Sequence, residues 1–297
     1  MRFEGPFTAL VTPFREGRLH EECLRDLVRF QVHNGSLGIV ACGTTGESPT
    51  LSREEIYRVF EIVIEEARGK AAVVAGTGTN NTARTIELTT KARQLGADMA
   101  LVITPYYNKP TQEGLYRHFE AVCRAVDLPL MIYNVPGRTG VNILPSTVER
   151  LSHIDNIVAI KEASGDLNQA SEIVNRCAER IRVFSGDDSL FVPILSVGGV
   201  GVVSVVGNIV PRDVRNLWEA HRESNPARLA ELHGKLFPLC QAMFYETNPI
   251  PVKTALNLMG KDVGELRLPM VPMSDENVGR LVQAMERYGL LSPVAEA

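Results

Sequence analysis

Several absences narrow the chemistry of this chain. It has one tryptophan, six scattered histidines and five cysteines (Cys23, Cys42, Cys123, Cys177, Cys240) without Cys-x-x-Cys spacing. An odd, dispersed set of thiols provides neither a disulfide framework nor a zinc knuckle, and reads as buried cysteine in a reducing compartment. No basic stripe or polybasic run is present, and 31 Lys+Arg against 35 Asp+Glu leave an evenly spread net charge of −4. The electrostatic footprint of a nucleic-acid binder or a membrane-surface protein is therefore missing. No uninterrupted apolar run is long enough to span a bilayer. The first seven residues carry Glu4 and Pro6 where a secretory signal would have its apolar core. A cytoplasmic location is the expectation. No internal repeat or low-complexity linker divides the 297 residues, a length that suits one large barrel with an appendage or two ordinary domains.

What is present is a series of apolar, β-branched runs: Thr8–Thr12, Gly38–Cys42, Ala71–Gly76, Met99–Thr104, Pro129–Asn134, Ile157–Ala163, Arg182–Ser185 and Gly201–Val206. They are near-continuous rather than alternating, the pattern of parallel strands covered on both faces. Amphipathic patterns fill most of the gaps. Ser52-Arg53-Glu54-Glu55 is a capping box ahead of a stripe of Ile56, Val59, Phe60, Val63 and Ile64. Thr111 opens a segment with Leu115, Phe119, Val122 and Val126 at helical spacing, Pro145 suits a first turn, and Asp166 suits an N-cap. Between the seventh and eighth runs, Leu190–Val197 offers a short helix at most. After the eighth run only helical patterns remain: Pro211–His221, Arg228–Tyr245, Pro251–Met259 and Glu276–Tyr288, with Gly260 and Gly289 at C′ positions. The count predicts an α/β fold, a (β/α)8 TIM barrel over residues 1–224 with a C-terminal helical extension over residues 225–297. A doubly wound sheet in two halves is the competing arrangement.

One run is interrupted by a charge. Ile157-Val158-Ala159-Ile160-Lys161-Glu162-Ala163 presses Lys161 into a strand, and burying an ammonium without a partner is costly. Taken alone, the heptad admits two readings. The lysine stem lies on apolar surface while its head reaches water, or a desolvated amine attacks a carbonyl to form a Schiff base. In a barrel, the active site lies at the C-terminal strand ends, and the Gly-rich and polar residues concentrate there: Gly43-Thr44-Thr45-Gly46-Glu47-Ser48, Gly76-Thr77-Gly78, Pro105-Tyr106-Tyr107-Asn108, Tyr133-Asn134-Val135-Pro136-Gly137-Arg138-Thr139-Gly140 and Gly186-Asp187-Asp188.

Each motif has a plainer explanation. Gly76-Thr77-Gly78 lacks the third glycine and the ribose-binding acid of a dinucleotide turn, and Gly43-Thr44-Thr45-Gly46 lacks the Gly-Lys-Ser/Thr of a P-loop. The latter suits a tight turn, and its hydroxyls and free N–H groups also suit a carboxylate. Asp187-Asp188 suggests a metal-dependent aldolase, but no histidine accompanies it, and Asp188 is placed to cap the next helix. No metal site is expected. Glu162 alternates to the face opposite Lys161 and reads as a structural charge partner. By the same alternation, only one of Tyr106 and Tyr107 can face the barrel mouth.

Taken together, Gly43-Thr44-Thr45-Gly46-Glu47-Ser48, Tyr133 to Gly140, Ile160-Lys161-Glu162-Ala163, Val11-Thr12-Pro13, Thr104-Pro105-Tyr106-Tyr107 and Asn248-Pro249-Ile250-Pro251-Val252-Lys253 resemble the 4-hydroxy-tetrahydrodipicolinate synthase family along nearly the whole chain. The resemblance implies a class I aldolase-type condensation of pyruvate with L-aspartate 4-semialdehyde on the diaminopimelate route to lysine. It implies no cofactor beyond a covalent pyruvate imine on Lys161. Tyr133, Thr44 and Tyr107 match a proton-relay triad, and Thr45 matches a binder of the pyruvate carboxylate. Arg138 matches the holder of the semialdehyde carboxylate, while Gly186 and Val203 match residues around the imine. In the family Tyr107 reaches into a neighbouring subunit, which implies a tight dimer paired into a homotetramer.

The chemistry accounts for these residue types. A phenol linked to solvent by hydroxyls can shuttle the protons of imine and enamine formation, and a guanidinium offers a planar fork matched to a carboxylate. Two other functions compete: a pyruvate-dependent aldolase for a sugar acid, and a catalytically idle barrel acting as a metabolite sensor. Neuraminate lyases share the lysine but read Gly-Ser-Thr-Gly-Glu at the first turn and lack the arginine turn, so Thr44 and Arg138 favour the synthase. Lysine-inhibited members carry histidine and glutamate where this chain has Ile56 and Arg84. Arg84 repels an ammonium and Ile56 makes no hydrogen bond, although Ser48, Asn80 and Tyr106 remain. Lysine inhibition is therefore expected to be weak or absent. A lysine titration reaching half-inhibition below about 1 mM, roughly 4 kcal/mol of binding, would contradict this.

Overall fold

The computed structural model describes residues 3–177 and 179–292; Met1, Arg2 and the last residues of the expected extension, 293–297, lie outside the described residues. Eight parallel strands close into a barrel in sequence order: β1 (Gly5–Ala9), β2 (Gly38–Ala41), β3 (Ala72–Gly76), β4 (Met99–Ile103), β5 (Leu130–Asn134), β6 (Ile157–Glu162), β7 (Arg182–Ser185) and β8 (Gly201–Ser204). β1 pairs with both β2 and β8, which closes the ring. The doubly wound alternative is excluded. Nearly every strand residue is buried, because one face fills the barrel and the other lies under helices.

The helices are α1 (Glu21–His33), α2 (Arg53–Ala67), α3 (Thr82–Leu95), α4 (Gln112–Ala125), α5 (Pro145–Leu151), α6 (Leu167–Cys177), α7 (Phe191–Ser196) and α8 (Pro211–Arg222) around the barrel. α9 (Pro226–Ala242), α10 (Ile250–Leu258) and α11 (Asp275–Tyr288) follow it. The Ser52 capping box forms in full, with Glu55 returning to the Ser52 N–H at 2.9 Å. Asp166 caps α6 by accepting from the Asn168 N–H at 2.8 Å. Gly289, in the left-handed region at φ 90°, ends α11. Two apolar clusters result: an outer one between strands and helices, and an inner one filling the barrel, with Phe7, Val40, Val74, Met99, Met131, Ala159, Phe184 and Val203.

Some expectations shift. The first strand begins three residues earlier than Thr8, at Gly5, and takes in Pro6. Gly5 holds φ +87°, and a Cβ there would stand 2.5 Å from the Leu37 side chain, so the strand enters where only glycine fits. A short hairpin, Phe14–Arg15 with Arg18–Leu19, went unanticipated; Glu16 and Gly17 turn it with positive φ. Asp188 does not cap its own helix: its Oδ2 accepts from the Val205 and Val206 N–H groups, both at 2.9 Å, tying β7's end to β8's. Among the described residues, no helix is long and apolar enough to cross a membrane.

His118 on α4 is buried, its Nδ1 lies 2.9 Å from Thr82 Oγ1, and its Nε2 has no partner. Burial pushes its pKa down to about 4. The ring is thus neutral in the folded protein, whereas the unfolded chain protonates near its ordinary value of about 6.5. Its contribution is complete above that value and is lost as pH falls towards 4. Chemical denaturation at pH 7.5 and 4.5 should show the protein losing about 2–3 kcal/mol more than His118→Gln across that interval, at 1.36 kcal/mol per pH unit. Equal losses would show that His118 is not the acid-sensitive group.

Candidate active site

β5 and β6 place the central pair. Tyr133 and Lys161 are partners in the parallel register, and Lys161 also pairs with Phe184 of β7. Strand alternation puts Lys161 on the face of Ala159, inside the barrel with Tyr133 and Phe184. Lys161 is 5% exposed, and its Nζ stands 4.1 Å from the centroid of the Tyr133 ring. The ammonium is therefore neither at the outer surface nor spread into solvent.

The opposite face of the same strands carries a polar network. Glu162 Oε2 accepts from Asn134 Nδ2 at 3.0 Å and Gln169 Nε2 at 3.2 Å, and its Oε1 accepts from the Ser164 N–H at 2.7 Å. Asn134 also donates to Asn142 and accepts from the Ile143 N–H. Burial raises the Glu162 pKa, against the pull of these donors. The partners are amides and not a cation, which corrects the expectation of a charge pair. Their effect is to lock β5 to β6 where Tyr133 and Lys161 stand.

The Gly-rich turn after β2 is built from two consecutive turns, Gly46 N–H to Gly43 O and Glu47 N–H to Thr44 O, each 3.1 Å. Cys42 and Glu47, which bracket it, both take φ +53°, a conformation that costs a non-glycine residue about 1–2 kcal/mol. Contacts from the far end of the chain hold it. Lys253 on α10 is 1% exposed and reaches Glu47 Oε1 at 2.8 Å, Thr12 O at 3.0 Å and Glu265 O at 2.6 Å. The Arg267 N–H donates to Glu47 Oε2 at 3.0 Å. Burial lowers the Lys253 pKa and the Glu47 carboxylate works against that shift. Gly76 and Gly78 have packing roles: a Cβ would meet Cys42 O at 2.2 Å and Ile103 N at 2.3 Å respectively.

A cavity of about 390 Å³ opens beside this turn, and its walls include Thr44, Tyr133 and Arg138, with Ser48, Ile56, Asn80, Arg84 and Tyr106 further along. Arg138 projects from a one-turn helix, Pro136–Thr139, closed by Gly140 in the left-handed region. Its guanidinium donates to Asn248 O at 3.2 Å, and no carboxylate of the described residues pairs with it. Thr45 turns inward, is 3% exposed, and accepts from Asn248 Nδ2 at 2.9 Å. Val203 lies wholly buried in the barrel interior, and Gly186 is pressed against Glu162 O and Ala163, where a Cβ would come within 2.4 Å of the alanine's. Asp187 sits near Lys161, whose positive charge opposes the rise that burial causes in its pKa. Tyr106 lines the cavity, while Tyr107 is 89% exposed at φ +72° and stands outside it. No group of three metal-ligating side chains occurs among the described residues.

The structure thus gathers Thr44, Tyr133 and Arg138 around one cavity with Lys161 against Tyr133, and leaves Tyr107 apart. The sequence reading assigned no role to Lys253 or Asn248, although both lie in the Asn248-Pro249-Ile250-Pro251-Val252-Lys253 stretch. A lysine beside three apolar residues in a helix was the available signal.

Comparisons with known proteins cover nearly the whole chain. The chain matches the Dihydrodipicolinate synthetase family over residues 2–288. A 4-hydroxy-tetrahydrodipicolinate synthase of Pelobacter propionicus is 53% identical over 289 residues, 97% of this chain and 100% of that one. The crystal structure of dihydrodipicolinate synthase from Aquifex aeolicus superposes with a TM-score of 0.95 at 47% identity, covering 99% of this chain and 100% of that one. The chloride-inhibited dihydrodipicolinate synthase from Acinetobacter baumannii, complexed with pyruvate, gives 0.96 at 40% identity, covering 98% and 100%.

The Glu47–Lys253 pair yields a stability test. Lys253→Met leaves a buried carboxylate without its cation and should cost about 3–5 kcal/mol in denaturant unfolding. Glu47→Gln combined with Lys253→Met removes both charges and should recover a large part of that loss. A single variant as stable as the parent would show that the pair is not what holds the turn.

Proposed function

The chain belongs to the dihydrodipicolinate synthetase family and is a lyase with the 4-hydroxy-tetrahydrodipicolinate synthase activity of its relatives, and we propose that it runs that reaction through Lys161 with pyruvate as donor and L-aspartate 4-semialdehyde as acceptor. The observation that carries this reading is a buried lysine amine 4.1 Å from the Tyr133 ring, itself on the wall of a cavity shared with Arg138, which pairs with no carboxylate of the described residues.

The neutral Lys161 Nζ attacks C2 of pyruvate, and the carbinolamine loses water to give the imine. Loss of a proton from the pyruvate methyl gives the enamine, whose carbon attacks the semialdehyde's aldehyde carbon. The semialdehyde's own amine then attacks C2, closing the ring and releasing Lys161. The imine serves as electron sink, so the scheme draws on no metal or organic cofactor. Tyr133 and Thr44 move the protons, with Tyr107 completing the relay. Thr45 binds the pyruvate carboxylate, Arg138 binds that of the semialdehyde, and Gly186 and Val203 shape the space around the imine.

The relay argues for more than one copy of the chain. Tyr107 is almost fully exposed on a backbone held at positive φ, and its N–H is tied to Thr139 O at 3.4 Å. A large aromatic presented in this way fits a role in a neighbouring copy's cavity, within a dimer paired into a homotetramer. The barrel, residues 1–224, supplies the reacting groups, and the extension, residues 225–297, braces them. Five free, buried cysteines fit action in the cytoplasm.

Incubation with pyruvate and borohydride, read by mass spectrometry, should place a reduced adduct on Lys161, and Lys161→Ala should give none. Arg138→Ala should form the same adduct at the same pyruvate concentration while losing about 100-fold or more in kcat/KM for the semialdehyde, roughly 3 kcal/mol for a charge-assisted pair. The absence of an adduct on the parent protein would overturn the Schiff-base mechanism. An adduct without turnover of the semialdehyde would overturn the acceptor.

A further inference from the structure

Asn248 sits where the extension meets the barrel, just ahead of α10, and is 5% exposed. It touches both groups to which the preceding scheme gives a carboxylate. Its side-chain Nδ2 donates to Thr45 Oγ1 at 2.9 Å, and its backbone carbonyl accepts from Arg138 at 3.2 Å. Its Oδ1 is buried with no partner among the described residues. A buried acceptor left unpaired costs stability, so packing alone does not explain an asparagine at this position.

The hydroxyl of Thr45 has one proton and two lone pairs. Its bond with Asn248 is the one side-chain hydrogen bond Thr45 makes among the described residues. When an amide N–H fills one lone pair, the hydroxyl proton remains free to donate elsewhere, which is the polarity a carboxylate requires. An aspartate, ionised at the same position, would reverse the arrangement by taking the Thr45 proton for itself. The same residue holds Arg138 through its backbone, so a single point of the extension bears on both carboxylate-binding groups.

We propose that Asn248 is a positioning residue: it makes Thr45 a hydrogen-bond donor to the pyruvate carboxylate while its backbone carbonyl anchors Arg138 for the acceptor. The proposal rests on the Lys161 reading above. It assigns a substrate-orienting task to the helical extension, whose Lys253 and Arg267 already brace the Gly-rich turn.

The test measures how much pyruvate is needed to half-saturate the borohydride-trapped Lys161 adduct, together with KM and kcat for both substrates, in the full-length protein. Asn248→Ala should raise the half-saturating pyruvate concentration about ten-fold with a smaller change in kcat, the effect of losing one hydrogen bond that orders a charged ligand. Asn248→Asp should raise it further at pH 8 and recover part of the deficit as pH falls towards 5, because a protonated carboxyl can again donate to Thr45. A residue with only a packing role would lower thermal stability and the fraction of active sites, with half-saturation unchanged and no such pH dependence. Asn248→Leu, close to asparagine in size and unable to donate, is read in the same way if Asn248→Ala does not fold. Half-saturation within two-fold of the parent in folded Ala and Asp variants would overturn the proposal and leave the Lys161 scheme intact. No adduct in the unsubstituted protein would overturn both.

Discussion

The contact on which the site most depends is the buried ion pair between Glu47 and Lys253. One partner ends the Gly-rich turn after the second strand and the other lies on a helix of the extension, so the bond spans most of the sequence. Glu47 adopts a left-handed backbone that a non-glycine residue avoids, and it persists because both carboxylate oxygens are occupied, one by Lys253 and one by the Arg267 N–H. Lys253 is saturated in turn by two backbone carbonyls and lies 4.5 Å from the centroid of the Phe14 ring. Without this anchor the strained turn carrying Thr44 and Thr45 would be free to relax. A buried pair is poor evidence for stability by itself. Here its distinctive consequence is geometric, because it fixes where a strained turn sits.

A second constraint acts on the neighbouring strands. β5 and β6 each carry two kinds of residue by simple alternation: Tyr133 and Lys161 inward, Asn134 and Glu162 outward. The outward pair is held by amides from Asn142 and Gln169, so the strand register is set from outside the barrel. A one-residue slip would exchange the two sets and send the lysine to the helix layer. The inward positions of Tyr133 and Lys161 are thus held by hydrogen bonds on the far side of the sheet.

Much of this was legible in the sequence because the signals are local. Continuous apolar runs marked the strands to within one or two residues, with the first strand as the exception, where the glycine-proline pair that looks like a turn is dictated by close approach to Leu37 and Trp218. Lys161 was conspicuous because an ionised residue in an apolar strand violates the local pattern. Asp188, Lys253 and Asn248 were opaque for the opposite reason. Each has an ordinary local setting and acquires its task from residues as far as 241 positions away, brought near only by barrel closure and by the return of the extension. Spacing cannot report such contacts.

The net charge of −4 does not set the field inside the cavity. The cavity walls carry Arg138 and Arg84 and no carboxylate. The acids close to Lys161 lie behind the walls, and burial raises the pKa of both Glu162 and Asp187, which weakens the tendency of each to hold a full negative charge there. The Lys161 charge opposes that rise at Asp187. Local field and net charge are therefore separate quantities in this fold: the chain carries an excess of acid, yet the cavity wall carries two arginines and no carboxylate.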